Sequence, residues 1–262
     1  MYALFMKKTA FIGLLAGIFL MALPVSLAKA DEVVVAVATN FLLPAREIAA
    51  EFEQDTGHSV VLVAGATGKL ATQILAGAPF DVFLAADQAR PEFLVEKNAA
   101  VAGSRFTYAV GRLVLWSREK LPLTGTALAS LDIMRVSRLA MANPKLAPYG
   151  LAAEQALDRL GFFKPLSGRF VYGENIGQTF AMAASGNVTA GLIAKSQLAS
   201  LPDDQRGHWI DVPGTLHEPI LQDGVLNMRA KDNKVAHSFM SFMKSDKVTG
   251  IITRFGYGVS HP

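Results

Sequence analysis

Cysteine is the residue that this sequence lacks altogether, since none occurs among its 262 residues. The absence excludes disulfide bonds, thiolate nucleophiles and cysteine-based metal centres. Histidine is scarce, and its five positions have no ligand spacing that would predict a metal site. No Gly-x-Ser-x-Gly motif is present. The sequence thus offers neither the common hydrolase nucleophiles nor ligands for a metal cation.

Basic residues do not outnumber acidic ones once the N-terminal segment is set aside. The chain carries a formal charge of +3, from 25 Lys and Arg residues and 22 Asp and Glu residues. Lys7, Lys8 and Lys29 lie within residues 1–30, where no acid occurs, so the remainder is balanced. The basic charge therefore belongs largely to the N-terminal segment and is no evidence for nucleic acid or an anionic membrane as a partner, and we predict no nucleic-acid partner.

Residues 1–30 have the organisation of a secretory signal peptide. Lys7 and Lys8 form a basic region, Thr9 to Leu23 form an apolar stretch, and Ala28-Lys29-Ala30 is an A-x-A cleavage site. We predict export and cleavage after Ala30; the alternative is an uncleaved membrane anchor. No later apolar run is long enough to span a bilayer, so the mature chain is predicted to be soluble.

A buried strand followed by a helix is the recurring unit of the remaining chain. Residues 33–38 are apolar and largely β-branched, which predicts a strand buried on both faces. Pro44 suits the first turn of a helix, and the apolar spacing of residues 45–52 is that of an amphipathic helix. Repeated units of this kind predict an α/β protein with parallel strands.

Four loops have small or polar residues between such a strand and helix. Singly, each pattern is more often an ordinary helix cap or turn. Together they predict a cleft in which backbone N–H groups and hydroxyls bind an anion, because helix N-termini carry unsatisfied N–H donors. The loops are Thr39-Asn40, Ala66-Thr67-Gly68, Pro148-Tyr149-Gly150 and Asn175-Ile176-Gly177.

One cation, Lys69, stands in these loops, and we interpret it as pointing to solvent because a cation opposes the dipole at a helix start. The loop at residues 65–69 resembles a nucleotide-binding P-loop only superficially. Val63 stands where that motif needs glycine, and Leu70 replaces its Ser or Thr.

Two passages of the chain predict a division into two lobes. Thr107 to Ser117 is a long strand-like run interrupted at Gly111, and Pro219 to Met228 has the pattern of a return crossing. We therefore predict that residues 31–112 and 225–262 form lobe 1 and that residues 113–224 form lobe 2.

Several motifs of this chain resemble those of periplasmic molybdate-binding proteins of ABC transporters. The resemblance covers nearly all of the chain after residue 30. It rests on the segments at residues 36–41, 65–70, 77–87, 143–150, 173–176 and 254–257.

That resemblance implies a type II, two-lobe periplasmic binding protein, in which each lobe is a mainly parallel sheet flanked by helices. The implied ligand is a molybdate or tungstate dianion held by neutral donors, without cofactor or catalysis. The implied location is the periplasm, the implied partner is an inner-membrane permease, and the implied state is a monomer. The implied ligand-binding residues are Thr39, Asn40, Thr67, Tyr149 and Ile176.

The chain departs from one family pattern, because some members have serine in the first loop and a ligand tyrosine near the position of Ala194. Here the first loop is Thr-Asn, which fits the branch whose tyrosine precedes a helix. Two alternatives stay open: a binding protein for another oxyanion such as sulfate or phosphate, and an exported enzyme acting on anionic substrates. The enzyme would need a base, and Thr67 has no evident partner base in the sequence.

Overall fold

The computed structural model describes residues 31–199 and 201–259. The predicted signal peptide, residues 1–30, and its cleavage site lie outside the described residues. Within the described part, no helix combines the length and apolar character needed to cross a bilayer.

Ten strands of the described chain form two five-stranded sheets. The first sheet has the order β2-β1-β3-β10-β4, and the second has the order β7-β6-β8-β5-β9. The strands are β1 (Glu32–Ala38), β2 (Ser59–Gly65), β3 (Val82–Leu84), β4 (Phe106–Gly111), β5 (Leu113–Ser117), β6 (Leu139–Ala142), β7 (Phe170–Gly173), β8 (Ala190–Ala194), β9 (His208–Asp211) and β10 (Ile220–Leu226).

Helices flank both sheets. They are α1 (Leu42–Thr56), α2 (Thr67–Leu75), α3 (Ala89–Glu96), α4 (Pro148–Arg159), α5 (Phe163–Leu166), α6 (Ile176–Ala184), α7 (Ser196–Ala199), α8 (Lys234–Phe242) and α9 (Asp246–Arg254). We call the parts built on the two sheets the first and second lobes. The α/β class and the two-lobe architecture that the sequence predicted are confirmed.

Each sheet is mainly parallel, as expected, although one strand runs against the other four. In the first sheet β1 pairs in parallel with β2 and β3, whereas β10 is antiparallel to β3 and β4. The second sheet repeats this division, with β5 antiparallel to β8 and β9. The antiparallel strands are those by which the chain passes between lobes, so they do not arrive through a helical crossover.

The buried strand β1 and helix α1 match their sequence patterns. Val35 and Val37 pack into one apolar cluster and Ala36 into another, so both faces of β1 are covered. Helix α1 turns Ala45, Ile48, Ala49 and Phe52 toward the first of these clusters or its edge, and all four are buried. Burial of this face holds the start of α1 at the end of β1.

The two crossings join the sheets directly. β4 ends at Gly111 and β5 begins at Leu113, so Arg112 alone separates a strand of one sheet from a strand of the other. The return enters β10 at Ile220, and β10 pairs over its length within the first sheet. The predicted lobe boundary at residue 225 falls inside β10, whereas the chain already joins the first sheet at Ile220. The division into lobes at residue 225 stays a prediction.

Candidate functional site

Loops from both lobes surround one small cavity, which lies where the strands of the two sheets end. Its volume is about 10 Å³, and its walls come from the loops after β1, β2, β3, β6 and β7. Ligands of open α/β sheets bind at such strand ends. The lining includes all five residues that the sequence analysis selected: Thr39, Asn40, Thr67, Tyr149 and Ile176.

Thr67 begins helix α2 at the edge of the cavity, and its side chain is buried. The backbone N–H of Ala86 donates to Thr67 Oγ1 across 3.2 Å. A hydroxyl that accepts this bond still holds its own proton. Thr67 can therefore donate to an acceptor within the cavity, and Ala86 fixes the hydroxyl that does so.

Thr39 follows β1 directly and stands opposite the second lobe. The N–H of Gly177, in the first turn of α6, donates to Thr39 Oγ1 across 3.3 Å. The bond crosses between the lobes and leaves the Thr39 proton available to an acceptor. Thr39 is therefore a hydroxyl donor whose orientation depends on lobe contact.

The side chain of Asn40 is engaged away from the cavity. Its Nδ2 donates to Gln222 Oε1 at 2.8 Å and to the Tyr257 hydroxyl at 3.0 Å. The backbone carbonyl oxygen of Asn40 accepts from the Tyr257 hydroxyl at 2.7 Å and from the Ser196 hydroxyl at 3.0 Å. These bonds leave the backbone N–H as the group through which Asn40 can serve an anion, one of the modes that the sequence left open.

Tyr149 lies in the first turn of α4, after Pro148. Its hydroxyl accepts from Gln222 Nε2 across 3.2 Å, and burial raises its pKa well above the usual value. The phenol therefore stays neutral at ordinary pH. At the helix start the backbone N–H of Tyr149 has no intrahelical acceptor, which makes it a second donor for the cavity.

Ile176 is the first residue of α6 and is buried. Asn175 caps this helix, because its Oδ1 accepts from Gln178 N at 2.9 Å. Gln197 Nε2 donates to the Ile176 carbonyl at 3.1 Å and so holds the turn from its other side. The backbone N–H of Ile176 lies in the first turn of α6, where N–H groups have no intrahelical acceptor. The Ile176 side chain contributes no polar group.

The side chains that line the cavity carry no formal charge. Lys69 lies outside it and pairs with Glu174 across the lobes, with Nζ 2.7 Å from Oε2. Lys69 is exposed, in agreement with the interpretation that it points to solvent, and it also forms this ion pair, which the sequence did not predict. The pair also engages Glu174, the acid next to the fourth loop, and the cavity lining itself is a set of neutral donors.

Comparisons with known proteins identify the family of the chain. The family described as bacterial extracellular solute-binding protein matches residues 33–258. The molybdate-binding protein ModA of Azotobacter vinelandii is 45% identical over 232 residues, which cover 88% of this chain and 92% of that one. The chain belongs to the ModA family. The Rhodobacter capsulatus ModA is 42% identical over 244 residues, which cover 93% of each chain.

A solved structure of this family supports the fold. The periplasmic molybdate-binding protein of Azotobacter vinelandii superposes with a TM-score of 0.81 and 36% identity. The match covers 87% of this chain and all of that one. The ModA fold thus extends over the whole described two-lobe body.

Further contacts hold the ModA lobes together in front of the cavity. The N–H of Gly68 donates to the Leu146 carbonyl at 3.0 Å. A Cβ at Gly68 would lie 3.2 Å from that oxygen, so the missing side chain permits the close approach. The lobes therefore meet at the front of the cleft as well as at the two crossings.

Sequence reasoning missed the polar residues behind the cavity. Gln222 is buried in β10, and the buried Tyr108 hydroxyl lies beside its amide. Two further buried hydroxyls lie beside Asn40, those of Tyr257 and Ser196. The available signal was a pair of polar residues, Gln222 and Asp223, inside an otherwise apolar strand. Ala194, where some family members have tyrosine, is a buried strand end whose N–H donates to Gln197 Oε1.

Proposed function

We propose that this ModA-family chain captures molybdate between its two lobes and delivers it to an ABC permease in the inner membrane. Tungstate is proposed as a second ligand, because the two dianions are nearly equal in size and charge. The observation that carries the proposal is the convergence of five neutral donor residues on one cavity. The names of the relatives, which are molybdate-binding proteins, support it.

The energetics of such a site need no cationic side chain. Hydrogen bonds to a charged group contribute about 1.5–3 kcal/mol each. About five or six of them are sufficient for nanomolar affinity, about −12 kcal/mol, after desolvation of the anion and closure of the lobes. The hydroxyls of Thr39 and Thr67, with the N–H groups of Asn40, Tyr149 and Ile176, are the proposed donors.

The same donors argue against phosphate. At neutral pH phosphate retains a proton, which needs an acceptor in the site. Glu174 is the acid nearest the four loops, and its carboxylate is paired with Lys69. An enzymatic role lacks support too, because the Thr67 hydroxyl accepts from a backbone N–H and no side-chain base is bonded to it. We therefore propose a binding protein without catalytic activity.

Calorimetric titration with molybdate, tungstate, sulfate and phosphate tests the ligand. We expect tight binding of molybdate and tungstate and weak or no binding of sulfate and phosphate. Molybdate should also raise the melting temperature, because a ligand of the folded state stabilises that state. Preferential binding of phosphate or sulfate would overturn the molybdate proposal, and turnover of phosphate esters would support the enzyme instead.

The location is tested separately. We propose a monomeric periplasmic protein that starts at Asp31 after removal of residues 1–30. N-terminal sequencing of exported protein should begin at Asp31. A mature chain that still begins at Met1 would overturn cleavage and favour a membrane anchor.

A further inference from the structure

A buried polar cluster joins the two lobes behind the cavity. At its centre is Gln222 of β10, whose side chain is completely buried. Burial of an amide costs free energy unless its donor and acceptor groups are paired. The arrangement of its partners therefore indicates what the residue does.

The oxygen of the Gln222 amide faces the first lobe. Asn40 Nδ2 donates to Oε1 at 2.8 Å, and the Tyr108 hydroxyl lies 3.1 Å from the same atom. Asn40 is one of the residues that line the cavity. The amide is thus fixed from one side by the lobe to which β10 belongs.

The nitrogen of the same amide faces the second lobe. Gln222 Nε2 donates to the Tyr149 hydroxyl across 3.2 Å, and Tyr149 is buried in the first turn of α4. One side chain therefore contacts a cavity residue of each lobe. Movement of either lobe away from the other would lengthen the Gln222–Tyr149 bond.

Gly111 provides independent support, because it creates the space in which this bond forms. A Cβ at Gly111 would lie 2.7 Å from Gln222 Nε2 and would approach the Tyr149 hydroxyl still more closely. Gly111 is the last residue of β4, directly before the first crossing between the lobes. The bond thus lies beside the first crossing between the lobes.

We propose that Gln222 is a positioning residue for oxyanion binding, which holds Tyr149 through its amide when the lobes are closed. The α4 N-terminus is thereby placed beside the cavity, although Gln222 itself need not touch the anion. This inference rests on the proposed function. A contact made only in the closed arrangement raises the population that binds tightly, and the apparent affinity follows that population.

The test uses the mature chain and molybdate, with calorimetry for affinity and small-angle scattering for lobe closure. Gln222→Met keeps the length of the side chain and removes its amide, whereas Tyr149→Phe removes only the hydroxyl. Each change should weaken molybdate binding about tenfold. The double variant should be no weaker than the weaker single variant, because both changes break the same bond.

Two further variants separate positioning from other effects. Gly111→Ala removes neither partner, but its Cβ would displace the Tyr149 hydroxyl and the Gln222 amide, so it should weaken molybdate binding by a similar factor. Gln54→Met is the matched control, since Gln54 is exposed on α1; it should bind as the wild type does. All variants should reach the wild-type radius of gyration at saturating molybdate, at higher ligand concentration for the weakened ones.

The outcomes separate this inference from the proposed function. Failure of the wild-type chain to bind molybdate would overturn both. Wild-type affinity in Tyr149→Phe and Gln222→Met would overturn the positioning role alone, as would losses that add fully in the double variant. If Gln222→Met lowers only the melting temperature of the ligand-free protein, its role is merely structural. If it does not fold, Tyr149→Phe with Gly111→Ala decides the question.

Discussion

The two lobes contribute to the candidate cavity in different ways. The first lobe supplies the hydroxyls of Thr39 and Thr67, each of which accepts a backbone N–H and keeps its proton for another acceptor. The second lobe supplies the N-terminal turns of α4 and α6, where the donors are the backbone N–H groups of Tyr149 and Ile176. Apart from the backbone N–H of Asn40, the donors of the first lobe depend on side-chain identity, whereas those of the second lobe depend on where a helix begins.

This difference determines which substitutions should matter on each side. A side-chain donor can be removed by one isosteric change, whereas a backbone donor can only be moved. Changes in the second lobe must therefore act through packing, and glycines at close contacts are the positions where packing is tightest. The predictions below start from that side and proceed to smaller effects.

Gly150→Ala should produce the largest loss. A Cβ at Gly150 would lie 2.8 Å from the carbonyl carbon of Ala142 and would meet its oxygen still more closely. The first turn of α4 would have to shift, at a cost of about 1–3 kcal/mol in stability. We expect molybdate binding to weaken roughly a hundredfold or more, because displaced N–H donors each contribute about 1.5–3 kcal/mol.

The matched control for Gly150→Ala is Gly214→Ala, since a Cβ at Gly214 meets no atom within 4 Å. Calorimetry and thermal melting should show this control close to the wild type. Wild-type affinity in folded Gly150→Ala would contradict the importance of the α4 start and would weaken the contrast between the lobes.

Thr67→Val should have the next largest effect. The change preserves shape, removes the proposed donor and leaves the Ala86 N–H without its acceptor. We expect a loss of about 1.5–3 kcal/mol in binding, which is a ten- to hundredfold weaker Kd by calorimetry. Thr72→Val is the control, because the Thr72 hydroxyl donates to the Gly68 carbonyl on the exposed side of α2. Equal affinities in the two variants would show that the first lobe does not depend on this hydroxyl.

Lys69→Gln should have a small effect. The ion pair with Glu174 joins the lobes, but the two side chains are 47% and 61% exposed. Exposed pairs contribute about 1 kcal/mol or less, so we expect less than about a fivefold change in Kd. Measurements at two salt concentrations should differ little. A larger loss than that of Thr67→Val, with steep salt dependence, would contradict binding by neutral donors.

Change of pH should have the smallest effect on binding. Burial raises the pKa of Tyr108, Tyr149 and Tyr257, so all three remain neutral in the folded protein where an exposed tyrosine ionises. Their preference for the neutral form contributes to the stability of the folded state below about pH 10, the ordinary tyrosine pKa. That contribution is lost as the pH rises toward the higher pKa values that these tyrosines have in the folded protein. We expect the molybdate Kd to be constant between about pH 7 and 9.

Ultraviolet titration checks the buried tyrosines. In the folded mature protein the first tyrosinate signal should come from Tyr172, which is 45% exposed. Tyr172→Phe should remove that first step and leave the later signal to coincide with alkaline unfolding. Ionisation of several tyrosines before unfolding would contradict the burial of Tyr108, Tyr149 and Tyr257.

Much of the fold and of the candidate site could be predicted from local sequence. The apolar run of β1, the helical spacing of α1 and the small or polar residues between strand and helix all depend on neighbours within a few positions. The same local logic selected the loops that hold Thr39, Thr67, Tyr149 and Ile176, and the family resemblance singled out these residues, which do line one cavity. Their action as ligands remains a prediction that the variants above test.

The tertiary structure alone decided which groups of these residues are free. The Asn40 amide donates to Gln222, 182 residues away in the chain, and the Tyr149 hydroxyl accepts from the same residue, 73 positions away. The tertiary structure likewise decided that one strand of each sheet runs against the others and that Lys69 pairs with Glu174. Local pattern determines where a strand ends and a helix begins, because backbone geometry and burial repeat over a few residues. The partner of a polar side chain depends on which distant elements pack against it, since burial forces that group to bond with whatever the fold places there.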